Sequence, residues 1–281
     1  MLREINSQII TNAVAKMCID ANCIIAPEIK AAMEKAKECE SSEVAKSVLS
    51  DLLENADIAK GKMSPICQDT GMAVFFVEIG KDVHIVGKNL TDAINDGVRK
   101  GYTDGFLRKS VVSDPLRRVN TEDNTPAVIY TEQTDGDKIK ITYAPKGFGS
   151  ENKSALKMLN PSDGESGVID FVLETVKKAG ANPCPPIVVG VGIGGTMDKA
   201  AYLAKKALTR DITLPNPDEY YKNMERTLLE KINKLGIGPA GLGGDTTAFA
   251  VNIETFPTHI AGLPVAVNIN CHATRHMTAL I

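Results

Sequence analysis

The sequence predicts a mixed α/β protein (α+β in its layering). A helical N-terminal lobe over about residues 1–60 packs on a mixed β-sheet lobe with flanking helices over about 61–281, and the whole forms one domain. Three observations lead there. Apolar residues recur at helical spacing through the first lobe. Beyond it, short runs rich in Val, Ile and Phe alternate with helical stripes, which is the pattern of strands covered by helices. No linker, internal repeat or low-complexity tract divides the chain.

Taken in order, Leu2, Ile5 and Ile9 make a first helical stripe. Pro27 suits a first helical turn ahead of Ile29, Met33 and Ala36. Ser42 caps a third helix whose face carries Val44, Val48, Leu52 and Ala56. Residues 73–79 form a buried strand closed by Gly80, and Leu90, Ile94, Val98 and Tyr102 give strict helical spacing. Residues 127–131 and 138–144 are strands, and Asp135-Gly136 between them signals a hairpin. A glycine loop in "APKGFGSENKSALKML" opens towards a helix. Val168, Val172 and Val176 mark another helix, stopped by Gly180. Residues 187–191 read as a buried strand feeding a glycine turn at 192–195 and a helix. That turn lacks both the Walker and the dinucleotide spacing, so it reads as a close backbone approach. Asn216-Pro217 caps a helix to Leu235, and residues 247–253 and 264–269 are final core strands. Asp245 and Thr246, after two glycines, read as turn or capping residues.

The 281 residues are 43% hydrophobic and 24% charged, as in an average soluble protein. A net charge of -3 without a basic stripe argues against a nucleic-acid surface. The start carries an acidic residue and no long apolar region, unlike a secretory signal. No apolar run of about 18 residues is apparent, so no membrane span is expected. These features together predict a cytoplasmic protein.

Six cysteines are present: Cys18, Cys23, Cys39, Cys67, Cys184 and Cys271. A reducing compartment argues against disulfides, and no CxxC pair suggests a zinc ribbon. The first three lie on helical segments and read as small buried hydrophobes. The other three stand at strand ends: Cys67 before one, Cys184 in "NPCPPIVVG" before another, Cys271 in "VAVNINCHATRH" after a third. Three strands of one sheet can bring such turns together. The options are three unrelated buried thiols, a Cys3His zinc site using His272 or His276, or an iron–sulfur cube with one iron open to substrate.

Seven stretches resemble one family: "PICQDTG", "LRKSVV", "NTPAV", "KGFGSEN", "CPPIVVGVGIGGTMDKAA", "GLGGDTTA" and "ETFPTHIAGLPVAVNINCHATRH". They occur in order over residues 66–276 and resemble the α subunit, or N-terminal domain, of class I iron–sulfur hydro-lyases. These are the class I fumarate hydratases and the related L-tartrate dehydratases. One departure is Phe148, where the family pattern has glycine between Gly147 and Gly149.

The resemblance implies that Cys67, Cys184 and Cys271 hold a 4Fe–4S cluster with one open iron. It implies substrate contacts from Gln68, Asp69, Arg108, the loop at Gly149 and His259, with Asp69 and His259 also in catalytic roles. The substrate is a small dicarboxylate: fumarate and (S)-malate in the leading reading, L-tartrate in the rival one. Fused family members continue into a second domain that carries a Thr base and further Arg and Lys contacts, and no matching segment occurs here. The expected partner is therefore a β subunit carrying the base, in a homodimer of αβ units. A rival of another class is a non-catalytic zinc- or thiol-bearing assembly protein.

Overall fold

The computed structural model describes residues 2–281. The chain begins with β1 (Arg3–Asn6), α1 (Ser7–Cys23), α2 (Pro27–Cys39), α3 (Glu43–Lys62), β2 (Met72–Gly80), β3 (Val83–Val86) and α4 (Leu90–Asp104). It continues with β4 (Val128–Thr134), β5 (Ile139–Lys146), α5 (Phe148–Glu151), β6 (Ala155–Leu159), α6 (Gly164–Ala179) and β7 (Ile187–Gly194). The last elements are α7 (Met197–Ala207), α8 (Glu219–Asn233), β8 (Ala248–Phe256), β9 (Leu263–Asn270) and β10 (Met277–Leu280). The fold class is α/β, as the sequence predicts. Two compact units divide the chain, and the division is not at residue 60. One unit comprises the segment through Ile25, Ala56–Phe148 and Arg275–Ile281; the other comprises Ala26–Asn55 and Gly149–Thr274.

The first unit is built on a four-stranded sheet of order β10-β5-β2-β4, with β2 parallel to β4 and antiparallel to β5. Alternate residues of two strands, Ala73, Phe75 and Val77 with Ile139, Ile141 and Tyr143, join Ile10, Val14 and Cys18 of α1 and Ile94, Val98 and Tyr102 of α4 in one core. The α1–α4 approach is close because α4 carries glycine there. A Cβ at Gly97 would stand 2.6 Å from that of Val14, and one at Gly101 would stand 2.7 Å from both Ala15 O and Cys18 Cβ.

Two expectations fail in this unit. Residues 3–6 are not helical: they pair in parallel with β3, Ile5 opposite Ile85, and the Asn6 side chain caps α1 by accepting from Gln8 N. Ile5 is therefore buried while Ile9 is 53% exposed. The hairpin at Asp135-Gly136 does not form either, because β2 lies between β4 and β5. The connecting turn bonds to the end of β2 instead, with Gly80 N donating to Lys138 O and Asp82 N to Gly136 O. Gly80 permits this approach, since a Cβ would stand 2.4 Å from Gly136 O.

The second unit has the sheet β6-β9-β7-β8, with β7 parallel to β8 and antiparallel to β9. Val189, Val191 and Ile193 of β7 face a core with Val172 and Val176 of α6 and Leu228 and Ile232 of α8. Gly190 and Gly192 point the other way, under α7, where a Cβ would stand 2.1 Å from Ala204 O or Ala200 O. The glycine run is thus a close backbone approach, as expected. The segment "SALKML" is not helical: residues 155–159 bond antiparallel to β9 as an edge strand, after a single helical turn at α5. The N-cap of α8 is Asp218, not Asn216, which is buried against Glu225. On α3 the buried positions are Ala45, Leu49, Ala56 and Ala59, so of the expected face Ala56 is buried, Val48 and Leu52 are half-buried and Val44 is exposed; Ser42 Oγ accepts from Ala45 N as a cap does. Glu40 explains the "GLGGDTTA" turn. Its carboxylate accepts the Asp245 and Thr246 amides at 2.8 and 3.2 Å, and Asp245 in turn accepts from Ser41 N.

A stretch within Ser7–Cys39 does reach the length and apolarity of a membrane span, contrary to the sequence reading. It is two helices, α1 and α2, separated at residues 24–26. Ile10, Val14, Met17, Cys18 and Ala21 of α1 lie in the first unit's core, as in a helix buried among others.

Gly101→Ala tests the α1–α4 contact. Alanine favours a helix interior by about 1 kcal/mol over glycine, but the new methyl meets backbone and Cys18 together. We expect net destabilisation of about 1–3 kcal/mol, the scale of overpacking, measured by urea unfolding. A stabilised variant would show that the helices separate at little cost.

Candidate active site

The turn at residues 67–71 is a polar segment of the first unit fastened by several side chains. Its main chain is held from inside. Arg275 donates to Asp69 O at 3.0 Å, and Tyr102 Oη lies 2.9 Å from both Thr70 O and Gly71 O. Asn124 Nδ2 donates to Gly71 O at 3.2 Å. Tyr102 Oη lies 3.1 Å from Tyr143 Oη, which accepts from Asn22 Nδ2 at 3.4 Å. The Tyr102 proton serves the carbonyls, so Tyr143 is the donor to Tyr102 and the bonds run in one direction from Asn22 to the turn. Burial pushes both phenols well above their ordinary range, so both stay protonated donors.

With the carbonyls held inside, the side chains face outwards: Cys67 half-buried, Gln68 exposed, Asp69 half-buried. Cys67 Sγ accepts from Asp69 N and lies beside Gln68 Oε1, each at 3.4 Å. The Asp69 carboxylate accepts Gly71 N on one oxygen and Phe148 N on the other, both at 2.9 Å. Each oxygen keeps lone-pair capacity for a further donor. Arg108 belongs to the same assembly. Its carbonyl accepts from Thr70 Oγ1 at 3.1 Å, and its exposed guanidinium makes no ion pair among the described residues. Asn124, which holds Gly71 O, also takes Ser110 N at 2.8 Å. The first unit thus gathers Cys67, Gln68 and Asp69 on one turn, with the backbone of Arg108 bonded to it.

In the second unit Cys184 precedes β7 and Cys271 follows β9. Because β7 and β9 are antiparallel, with Val188 opposite Asn270, both cysteines stand at one end of the sheet. Cys184 has a left-handed φ of 52°, unusual for a residue with a Cβ. Its carbonyl is engaged by His272, through the backbone N at 3.1 Å and ring Nδ1 at 3.0 Å. Backbone strain of this kind persists where surroundings enforce it and recurs at functional sites. Gly149 lies by the same loop: a Cβ there would meet only Asn182 O, at 3.7 Å, so the chain itself tolerates a side chain at this position.

His259 is elsewhere. It lies in the β8–β9 loop, where Thr258 Oγ1 donates to Gly195 O. The seven steps of β9 from Leu263 to Asn270 separate that end from Cys271, about 23 Å at the usual strand rise. His259 Nδ1 accepts from Ala261 N at 3.1 Å, which leaves Nε2 as the ring position for a donor role. It borders a cavity of about 360 Å³ with Tyr220, Tyr221 and Glu165. Tyr220 donates to Glu165 at 2.7 Å, a bond that, with burial, raises the phenol to about 12.

The strand ends also belong to different sheets: β2 to one, β7 and β9 to the other. The expectation of three strands of one sheet is therefore corrected. Among the described residues, no group of three or more His, Cys, Asp or Glu is assembled for a metal ion. The donor chemistry nevertheless separates the six cysteines. No disulfide forms. Cys18 and Cys23 are buried; burial pushes the Cys18 thiol up to about 12, and burial with Asp20 nearby raises Cys23. Cys39, at the end of α2, is exposed and so is not the buried hydrophobe expected from the sequence. Cys67, Cys184 and Cys271 are half-buried or exposed, and Cys67 already receives an N–H. These three fit soft-metal ligation. Asn22, Tyr102, Asn124 and Arg275 were not singled out as site residues from sequence, although Tyr102 stands in the expected α4 stripe and Asn124 and Arg275 lie inside "NTPAV" and "NCHATRH".

Comparison with known proteins gives a consistent result. The model of the Fumarate hydratase (Fumerase) family matches residues 11–280. A protein of Methanocaldococcus jannaschii described as "Putative L(+)-tartrate dehydratase subunit alpha" is 46% identical over 272 residues, covering 95% of each chain. The "L(+)-tartrate dehydratase subunit alpha" of Escherichia coli O157:H7 is 32% identical over 289 residues, covering 100% of this chain and 95% of that one. The protein of the same description from strain K12 is 32% identical over 289 residues, with the same coverage.

Brief alkylation of the metal-free chain tests the cysteine division. Near pH 8 an ordinary thiol is about one-quarter thiolate, whereas one raised as far as Cys18 is almost wholly protonated. Iodoacetamide should label Cys39, Cys67, Cys184 and Cys271 and spare Cys18 and Cys23, read by peptide mass spectrometry. Labelling of Cys18 as fast as Cys184 would contradict the division.

Proposed function

The chain belongs to the Fumarate hydratase (Fumerase) family, and from that premise we propose that it is the α subunit of a two-subunit iron–sulfur hydro-lyase acting on a small dicarboxylate. The observation that carries the reading is the gathering of Cys67, Gln68, Asp69 and Arg108 around one internally anchored turn. In this proposal Cys67, Cys184 and Cys271 are the thiolate ligands of a 4Fe–4S cluster. When bound, the cluster supplies an iron without a protein ligand, a Lewis acid for the oxygen that joins or leaves carbon.

The chain's own residues then orient the substrate. Arg108 offers a planar fork to one carboxylate, the geometry that distinguishes arginine from lysine. Gln68 adds an amide, and Gly149 leaves room for substrate beside the backbone. Asp69, held by two amides, accepts from the substrate hydroxyl. His259 donates through Nε2. Its loop is at the far end of its own sheet, so in the expected homodimer of αβ units it would serve the site of a neighbouring copy. The proton acceptor for the substrate C–H belongs to the β subunit, a partner suggested by the relatives' description as α subunits. General-base help is typically worth about two to four orders of magnitude in rate. Cytoplasmic location, and one functional domain over all 281 residues, are part of the same reading. Fumarate and (S)-malate follow from the family's description, and L-tartrate from the relatives' names.

The deciding experiment is anaerobic co-expression with the β chain and assay of fumarate, (S)-malate and the tartrates. We expect dehydration or hydration of one of these with the complex and negligible turnover from this chain alone. Activity on none of them would overturn the reading. Ala at Cys67, Cys184 or Cys271 should abolish the broad visible absorption, whereas Ala at Cys18, Cys23 or Cys39 should keep it.

Arg108→Lys retains charge and loses the fork. It should lower kcat/KM by the equivalent of about 1.5–3 kcal/mol, the worth of a hydrogen bond to a charged group. Unchanged kinetics in Arg108→Lys and Arg108→Ala would remove this residue from the site.

A further inference from the structure

Arg275 has no task in the chemistry above, yet its environment is unusual. It is 4% exposed. One Nη donates to Asn22 Oδ1 and the other to Asp69 O, each at 3.0 Å, while Nε has no partner. No acidic side chain pairs with it among the described residues. A guanidinium buried without an acid is costly, so merely fastening the chain before β10, which an apolar side chain could do, does not account for an arginine here. What the guanidinium reaches is one carbonyl of the turn that carries Cys67, Gln68 and Asp69.

That carbonyl begins a row. Asp69 O takes Arg275, Thr70 O and Gly71 O share Tyr102 Oη, and Gly71 O also takes Asn124. Arg275 and Tyr102 are linked behind the turn through Asn22 and Tyr143. The amide of Asp69 reaches Cys67 Sγ and its carboxylate reaches Gly71 N and Phe148 N. Every polar group of Asp69 is thus engaged, and the Arg275 bond is the one that comes from a charged side chain.

We propose that Arg275 is a positioning residue, a buried clamp on the main chain of Asp69 that sets the direction in which Asp69 and Gln68 meet substrate. The proposal rests on the hydro-lyase reading for the substrate only; the clamp is a property of the chain itself. Arg275 touches no substrate in this scheme. Its loss should loosen the turn and misdirect the carboxylate without removing a substrate contact.

The test compares wild type, Arg275→Gln and Arg275→Lys in two measurements. In the cluster-free full chain, amide hydrogen exchange at residues 67–71 should be at least tenfold faster in Arg275→Gln, with other segments within twofold of wild type. In the complex with the β chain, reconstituted anaerobically, kcat should fall at least tenfold while KM changes less than threefold and the pH profile keeps its shape. Arg275→Lys, which keeps a cationic donor, should recover part of both losses. Unchanged exchange at 67–71 in Arg275→Gln would overturn the clamp. So would a rise in KM matching the fall in kcat, which would make Arg275 a substrate ligand. If Arg275→Gln loses protection throughout, Arg275→Lys decides: a gain in exchange confined to 67–71 supports the proposal, and general loss in both variants overturns it. Wild-type complex without dicarboxylate activity, but with local exchange that still responds to Arg275→Gln, would refute the hydro-lyase reading while supporting the clamp.

Discussion

Three successive carbonyls, those of Asp69, Thr70 and Gly71, need donors inside the first unit, and much of that unit supplies them. A buried carbonyl left unpaired costs about 1–3 kcal/mol, so three together rival the net stability of a domain. Tyr102 reaches them from α4, Asn22 sits behind from the last turn of α1, Tyr143 comes from β5 and Arg275 from the segment before β10. This arrangement needs α1 and α4 in near backbone contact, which Gly97 and Gly101 permit. The outward direction of Cys67, Gln68 and Asp69 is the consequence. The turn is polar at the mouth of a core strand because its main chain and Thr70 face in while Cys67, Gln68 and Asp69 face out.

In the second unit the governing constraint is steric. Gly190 and Gly192 let α7 lie against β7, while Val189, Val191 and Ile193, which alternate with them, face α6 and α8. Both faces of β7 are thereby covered and β8 and β9 pair with both its edges, so polar loops are confined to its ends. Cys184 and Cys271 occupy one such end, with the Cys184 carbonyl tied to His272. The other end carries the His259 loop and its cavity. The separation between the two ends is a matter of strand length and does not depend on side-chain detail.

Local chemistry and periodicity made much of this legible from the sequence. The stripe of Ile94, Val98 and Tyr102, the stop at Gly180, the Pro27 start and the reading of the glycine run as a close approach each follow from forces acting within one turn or one strand. The residue types at Cys67, Asp69 and Arg108 point to soft-metal and carboxylate chemistry for the same reason: thiol, carboxylate and guanidinium carry their properties with them.

Tertiary structure alone decided the pairings. Residues 3–6 became a strand because β3 offers an open edge and Asn6 caps the next helix. The Asp135-Gly136 turn is a turn but not a hairpin, because β2 intervenes from 55 positions earlier, counting Gly80 to Asp135. The segment at 155–159 is a strand because β9 has a free edge. Its own pattern does not require it. Cys67 is on a different sheet from Cys184 and Cys271, and His259 is at the wrong end of its sheet for them, although all four stand beside strands in the sequence. Asn22, Tyr102 and Arg275 acquired their common task through contacts spanning up to 253 positions. A hydrogen bond or strand pairing is a property of two partners, and a linear sequence names each partner without naming the pair.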